Sequence, residues 1–332
     1  HQLVTAICHK LEGVMIGPLA GIVAMIPMLL VFCVGLAIVV ARRPVVRIGH
    51  HNHARLVAIH RHTVRWRGLG LAAGLLAALG CAMLAGTALG RFVGLAPAAL
   101  GAGLIIGTIV GERTARAPLG TTREAGLGER RIGNLLRGQS LWPMVASTGL
   151  LVAILAMGTV LGSPDDLGRA GRALARTCQL VSDGVPTTAG ERSGPWPGSF
   201  YTLPLGGAFI VLGVLAFVAL KSIAARRAAG SESEDLDRLT RSWSTGNVLR
   251  ASTVSALLIA GPLATVMGAT LSAMDCRAST DAFVQWMALA AGVVATGLGL
   301  ALLASLFMAP GLVVDDLPGA LPPPAGAGVR VR

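Results

Sequence analysis

Charge is scarce in this chain. Only 13% of its 332 residues are Asp, Glu, Lys or Arg, whereas a soluble domain carries about 25%. A charged side chain at the centre of a bilayer costs about 2.5–3.5 kcal/mol, so a shortage of charge is typical of a surface that faces lipid. The 53% of hydrophobic residues and the mean hydropathy of +0.69 indicate the same. The composition excludes an ordinary soluble domain.

Catalytic and cofactor-binding patterns are missing as well. No GxSxG, HExxH, Walker or dinucleotide-binding glycine pattern occurs where its structural context would support it. No ionisable residue falls well inside an apolar stretch, although such residues usually mark the coupling site of an ion-driven carrier. We therefore expect no catalytic residue, no cofactor and no metal site, and the sequence favours a protein that is not an enzyme.

Lysine and aromatic residues are also rare. The two lysines are Lys10 and Lys221, and aromatic residues make up 4% of the chain. With abundant Ala, Gly and Arg, this bias is typical of a GC-rich genome and suggests a bacterial source. A multi-pass membrane protein from such a source is expected in the inner membrane. The net charge of +12 would suit nucleic acid, but the basic residues lie in loops between apolar stretches, which argues against that partner.

Seven apolar stretches alternate with polar loops. A bilayer core about 30 Å thick is crossed by about 20 helical residues, and in lipid the backbone polar groups must be satisfied internally. Barrel strands would instead alternate in polarity over about ten residues. The sequence predicts an all-α membrane protein, a seven-helix transmembrane bundle over residues 1–316, with a disordered cytoplasmic tail over 317–332. The predicted spans are 13–41, 69–90, 92–111, 141–162, 205–220, 248–274 and 283–310.

Arginine is unevenly distributed among the loops. The segments 42–67, 112–140 and 221–250 hold 19 Lys and Arg, whereas the segments on the other side of the predicted spans hold seven. Basic loops stay in the cytoplasm during membrane insertion. We therefore expect the N-terminus outside and the C-terminus in the cytoplasm.

The largest predicted outer segment, 163–204, is expected to cap the bundle. Its first part, 165–181, has leucines at helical spacing and predicts a helix, while 182–199 is rich in Gly, Ser, Thr and Pro and predicts an irregular loop. Cys178 and Cys276 both fall outside by this topology. An outer compartment permits disulfides, so we expect a bridge between them, with Cys8 as a rival partner.

Several residues inside or beside the spans have a structural interpretation. Pro27 and Pro262 each remove a backbone hydrogen bond and are candidate helix kinks. Gly70 and Gly74 form a GxxxG step that predicts close helix packing. Trp243, Asn247 and Arg250 enter the sixth span as a polar run, which we interpret as interfacial anchors.

A histidine cluster follows the first span. His50, His51, His53, His60 and His62 lie in one basic segment that lacks Cys, Asp and Glu. Imidazole binds Zn, Ni or Cu, so a metal site is one interpretation. Seven nearby Arg repel a cation, which favours contact with anionic lipid headgroups instead.

Two classes of function fit these features. The first is a transport or export component for an apolar or amphipathic small molecule, working with a separate energising subunit such as an ATPase. The second is a non-transporting partner that binds another membrane protein in assembly, sensing or protection. Both place the protein among membrane lipids. A cavity between the helices favours the first, and a closed bundle with a groove of small residues favours the second.

Overall fold

Apolar helices dominate the protein in its computed structural model. Six of them are long and apolar enough to cross a membrane, and a seventh, shorter one precedes them. This confirms the predicted membrane bundle at the level of its helices. The structure describes residues 26–41, 46–49, 54–115, 133, 136, 139, 141–182, 185–226, 234–276, 279–308 and 312–315.

The helices follow the predicted order. They are α1 (Ile26–Ala41), α2 (Ala54–Met83), α3 (Ala96–Thr114), α4 (Trp142–Leu161), α5 (Ser199–Ala225), α6 (Glu234–Ser272) and α7 (Ser279–Met308). Four short strands accompany them, β1 (Val46–Gly49), β2 (Leu174–Ser182), β3 (Val185–Ser193) and β4 (Leu312–Asp315). Residues 13–25 of the first predicted span lie outside the described part of the chain.

Several helices extend beyond the predicted spans. The span expected at 69–90 belongs to a helix that begins at Ala54, and the span expected at 248–274 to one that begins at Glu234. Residues 54–67, predicted as part of a basic loop, are therefore helical. Hydropathy finds the part of a helix that lipid surrounds, whereas the backbone hydrogen bonds continue through polar residues for as long as neighbouring elements support them.

Helix α6 lies at the centre of the bundle. In its apolar window 67% of the residues are buried, against 6–39% in the other five long helices. It packs along α7 and also contacts α3, α4 and α5, while α2 packs along α3. Contacts between α6 and its neighbours therefore hold most of the bundle together.

Glycines allow two of these helix pairs to approach closely. A Cβ on Gly70 of α2 would lie 2.7 Å from the Cα of Gly107 on α3, and one on Gly74 would lie 2.8 Å from the carbonyl oxygen of Leu100. On the other side of the bundle, a Cβ on Gly292 of α7 would lie 2.9 Å from the carbonyl oxygen of Gly261 on α6. The predicted Gly70–Gly74 step thus lies directly against the backbone of α3.

The predicted outer cap folds differently from the expectation. Residues 174–182 and 185–193 form an antiparallel hairpin of β2 and β3, with Leu174 opposite Ser193 and Ser182 opposite Val185. The expected helix over 165–181 is wrong, and the expected irregular loop over 182–199 is confirmed only for residues 194–198. The leucine spacing suggested a helix, but Asp183-Gly184 is a two-residue hairpin signal, and cross-strand pairing outweighs the weak helical pattern.

Cys178 and Cys276 connect this hairpin to the turn between α6 and α7. Their sulfur atoms lie 1.92 Å apart, at disulfide distance, and their Cα atoms 5.5 Å apart. The rival Cys8 lies outside the described residues. Beside the cysteines, the carboxylate of Glu191 accepts hydrogen bonds from the backbone N–H groups of Asp275 (2.9 Å) and Cys276 (2.7 Å).

Trp196 anchors the chain between the hairpin and α5. Its side chain is fully buried, and its indole N–H donates a 3.0 Å hydrogen bond to the carbonyl oxygen of Gly158 at the end of α4. The hydroxyl of Thr270 on α6 donates to the carbonyl oxygen of Pro195 (2.7 Å). The cap is therefore bound to the ends of both helices.

A second, smaller strand pair lies at the opposite end. Strand β1, after α1, pairs in parallel with β4, after α7, and Val46 faces Leu312. The chain segments that leave α1 and α7 consequently meet at the same end of the bundle. The predicted domain limit at 316 stays a prediction, and the tail 317–332 lies outside the described residues.

The packing of α2 on α3 can be tested by a substitution that adds one methyl group. Gly70→Ala should push the helices apart and destabilise the protein by about 1–3 kcal/mol, the usual cost of overpacking. Thermal unfolding in detergent, followed by circular dichroism, measures the loss. Gly80→Ala on the same helix is the matched control, because its Cβ would meet nothing within 4 Å. Equal stability of the two variants would contradict the close approach.

Candidate functional site

A buried charge cluster lies at the end of the bundle where the basic segments gather. Glu112, at the end of α3, is fully buried and lies between Arg67 of α2 and Arg226, which follows α5. Its carboxylate oxygens are 3.6 Å from Nη2 of Arg67 and 3.1 Å from Nη1 of Arg226. The cluster thus joins three elements that are distant in sequence.

Hydroxyl groups of α6 complete the cluster. Ser244 donates to the carboxylate of Glu112 (2.8 Å) and accepts from Arg67, while Thr240 accepts from Arg226 (2.8 Å). The guanidinium of Arg67 also lies over the ring of Trp243, 4.5 Å from its centroid. Two guanidinium groups around one carboxylate leave one net positive charge, which the hydroxyls and the ring help to stabilise.

The ion pairs and hydrogen bonds of the charge cluster hold helices together, and we call the cluster a clamp. Its charged side chains are buried, and each charged group faces a partner of opposite charge, the arrangement that buried charges require. It fastens α2, α3, α5 and α6 at one end. The helices cannot separate there without breaking these ion pairs and hydrogen bonds.

A lateral groove between α1, α4, α6 and α7 is the candidate binding site. Its volume is about 560 Å³. The walls are apolar or small, and its lining includes Gly35, Ile38, Trp142, Ala146, Thr253, Leu257, Ala295 and Leu298. Ile38 and Trp142 are 48% and 75% exposed, so the groove opens sideways, towards the lipid that surrounds a membrane bundle.

The few hydroxyls of the groove are already bonded within their own helices. Ser147 donates to the carbonyl oxygen of Met144 (3.1 Å), and Thr253 donates to that of Leu249 (2.9 Å). A ligand in the groove therefore meets an apolar wall rather than open hydrogen-bonding groups. Such a wall suits a hydrocarbon chain.

Helix α6 also contacts the segment before α4, outside the residues that line the groove. There a Cβ on Gly246 of α6 would lie 3.2 Å from Oε1 of Gln139, which precedes α4. The amide of Gln139 donates to the carbonyl oxygen (2.9 Å) and hydroxyl (2.7 Å) of Ser242. Gly246, Arg250, Thr253 and Leu257 are spaced by four, three and four residues and form one stripe of α6. On this stripe Arg250 comes between Gly246 and the groove residue Thr253, and it is not itself among the lining residues.

The residues singled out from sequence have different surroundings. Pro27 is exposed on α1, and α6 continues through Pro262, so both kinks stay predictions. Trp243 contacts Arg67 in the charge cluster, and Asn247 and Arg250 are half-buried on α6. The role of these three residues as interfacial anchors also stays a prediction.

The histidine segment is only partly described. His62 forms a 2.8 Å hydrogen bond with the hydroxyl of Thr114 on α3. His60 lies on α2, and His50, His51 and His53 lie outside the described residues. Across the described part of the chain, no group of three or more His, Cys, Asp or Glu could hold a metal ion.

Sequence reasoning missed the charge cluster. The sequence predicts a loop at Arg67 and places Glu112 just beyond the third predicted span, at 92–111. One signal was available: Glu112 is the sole acidic residue between Glu12 and Glu124. An isolated acid at the end of an apolar helix indicates a buried partner of opposite charge.

Compared with protein-family models, with curated proteins and with solved structures, the chain matches none of them.

Removing the central carboxylate tests the clamp. Glu112→Gln leaves two buried guanidinium groups without a counter-charge and should lower the free energy of unfolding by about 3–5 kcal/mol. Chemical unfolding in mixed detergent micelles measures the change. Asp166→Asn removes the carboxylate of an exposed pair, 3.6 Å from Arg192, and should cost less than about 1 kcal/mol. Similar losses in both variants would refute the clamp.

Proposed function

We propose that this polytopic membrane protein is a transport or export component that takes up an apolar or amphipathic small molecule from the bilayer through its lateral groove. One observation carries the proposal: an apolar groove of about 560 Å³ opens sideways from the bundle. This volume lies within the range of about 300–1,000 Å³ that is typical of ligand pockets.

The position of the groove supports this role. Its floor includes Thr253 and Leu257 of the central helix α6, and its rim includes Ile38 of α1 and Trp142 of α4. A molecule that diffuses within the membrane reaches the groove without crossing water. An apolar substrate therefore enters at no desolvation cost.

The energy source in this proposal is a separate subunit. Ion-driven carriers usually place an ionisable group near the middle of the membrane. Helix α6, which forms the floor of the groove, has no ionisable residue between Arg250 and Asp275. We infer that an ATPase partner supplies the energy.

A second candidate function follows from the small residues of the groove. Gly35, Ala146, Ala291, Ala295 and Ala301 all line it. Small residues let helices approach closely in membranes, so a transmembrane helix of another protein also fits this surface. In that case the protein is a non-transporting assembly, sensor or protective subunit.

Uptake by the groove can be tested with a photoactivatable fatty acid. In membrane vesicles that contain the protein and its native partners, the probe should crosslink to groove residues and be taken up when ATP is added. Ala146→Phe fills the groove and should reduce both signals several-fold. Val211→Phe, at an exposed position of α5, is the matched control and should change neither.

Two results would overturn the proposal. Uptake that is independent of the protein would exclude transport. Crosslinks spread equally over the groove and the exposed face of α5 would exclude the groove as a site. If a single membrane protein occupies the groove and no uptake is found, the partner role is correct instead.

The orientation is part of the proposal. From the distribution of Arg, we place the N-terminus outside, the C-terminus in the cytoplasm and the protein in the inner membrane of a bacterium. The hairpin and its cysteine pair then face an oxidising compartment, as a disulfide requires. Strands β1 and β4 support the scheme, because they bring the exits of α1 and α7 to one end.

Cysteine labelling tests the orientation. A single cysteine introduced at position 190, exposed on β3, should react with a membrane-impermeant maleimide added to whole cells. One introduced at position 125, between α3 and α4, should react only after the cells are lysed. The opposite pattern would reverse the topology.

A further inference from the structure

We propose that Arg91 and Arg172 bind the phosphate of an anionic phospholipid, at the end of the bundle that carries the cysteine pair. The observation behind this inference is that both guanidinium groups lie over the ring of one phenylalanine, Phe200. None of these three residues lines the lateral groove. The inference therefore goes beyond the proposed transport role and does not depend on it.

The ring of Phe200 gathers two like charges. The guanidinium carbon of Arg172 lies 3.9 Å from the ring centroid, and that of Arg91 lies 5.1 Å from it. The two positive charges are thus held within one Debye length of each other, about 10 Å at 0.1 M salt. The face of an aromatic ring attracts a cation, but the ring has no net charge and offsets only part of the repulsion. An anion bound by both guanidinium groups offsets the rest.

Neither guanidinium is fully used by an acceptor of the protein. Among the described residues, Arg91 forms no hydrogen bond or ion pair. Arg172 lies 3.9 Å from one carboxylate oxygen of Asp165, a distance longer than a hydrogen bond. The other oxygen of Asp165 accepts from backbone N–H groups of its own turn (3.0 and 2.8 Å). Two guanidinium groups thus share one distant carboxylate, and 16% of the Arg172 side chain stays exposed to a ligand.

The fold holds the backbone at both arginines. The hydroxyl of Tyr201 on α5 donates to the carbonyl oxygen of Leu89 (3.1 Å), two residues before Arg91. The carbonyl oxygen of Arg172 accepts from the backbone N–H of the buried Trp196 (3.0 Å). Both segments are therefore held beside the start of α5, and a ligand does not have to order them, which lowers the cost of binding.

The surroundings of the pair suit a lipid headgroup. Leu89 and Phe92, on either side of Arg91, are exposed, so an apolar surface begins beside the charges. Phe200 lies in the first turn of α5, whose N-cap is Gly198 and lacks a side-chain cap, and the N–H groups of a helix start also favour an anion. Each planar guanidinium matches two phosphate oxygens. A phospholipid satisfies the charges and the apolar surface together, and an anionic headgroup brings no cation of its own to compete.

Lipid competition tests the site. The full chain is reconstituted in nanodiscs with equal phosphatidylglycerol and phosphatidylcholine and released into a mass spectrometer, which identifies the retained lipids. The wild type should retain phosphatidylglycerol at least about fivefold over phosphatidylcholine, because one basic residue near a membrane attracts anionic lipid by about that factor. Arg91→Gln and Arg172→Gln should each lower the ratio, and the double variant should bring it close to one.

Arg169→Gln is the matched control. Arg169 is exposed, three residues before Arg172, and its guanidinium does not lie over Phe200. This variant removes the same charge from the same segment and should keep the lipid ratio. Since Arg172→Gln also breaks the pair with Asp165, circular dichroism checks its fold. Should it fail to fold, Arg91→Gln alone decides, and an unchanged ratio in that variant overturns the inference.

A second arm separates a lipid from free phosphate. The nanodiscs are equilibrated with inorganic phosphate in place of chloride, at equal ionic strength, before release. An unchanged lipid ratio supports the lipid site, whereas a ratio that falls to one assigns the site to free phosphate and overturns the lipid.

The remaining outcomes separate this site from the groove. A ratio that survives the double variant, or that falls equally in Arg169→Gln, overturns the inference. Ala146→Phe, which fills the groove, should leave the ratio unchanged, and a fall in that variant would place the preference in the groove instead. Loss of uptake in Ala146→Phe with an unchanged ratio supports both proposals independently.

Discussion

Helices in a bilayer gain little by hiding apolar side chains from one another, since lipid tails are equally apolar. The bundle described here depends on a different contact, the approach of one backbone to another. Gly70 and Gly74 bring α2 against α3, and Gly261 and Gly292 bring α6 against α7. Dispersion forces act over short distances, so this proximity is what makes the packing favourable. The rest of the architecture is arranged around these two helix pairs.

Polar interactions are concentrated at the two ends of the bundle. At one end Glu112 joins helices through Arg67, Arg226 and the hydroxyls of α6. At the other, the hairpin is held by the cysteine pair, by Glu191 and by Trp196. Between these ends most contacts are apolar, although the hydroxyl of Ser255 on α6 donates to the carbonyl oxygen of Pro97 on α3 (3.0 Å). The groove lies in that apolar part. Closing its walls on each other would gain little free energy there, because lipid tails are equally apolar.

The helices could be predicted from sequence because each long apolar run satisfies a condition set by the bilayer. Their ends could not, because the first turns of α2 and α6 contain charged residues, such as Arg55 and Asp235, and fall outside the apolar windows that hydropathy detects. The hairpin has a local sequence signal, the turn dipeptide Asp183-Gly184. The helical spacing of the leucines before it favours a helix instead, so the strands were not predicted. For the charge cluster, the one sequence signal is that Glu112 has no other acidic residue near it along the chain. Its partners lie at positions 67, 226 and 244, and no local pattern links residues so far apart.

The length of α6 has a mechanical consequence. Its 39 residues extend for about 58 Å, nearly twice the thickness of a hydrocarbon core. Near its far end, Thr270 donates to Pro195 in the segment that follows the hairpin, while its first turns carry Thr240 and Ser244 of the clamp. One continuous rod therefore links the water on the two sides of the membrane. A rotation of its polar first turns would therefore be transmitted along the helix to the turn that carries Cys276, and the groove residues Thr253 and Leu257 would rotate with it.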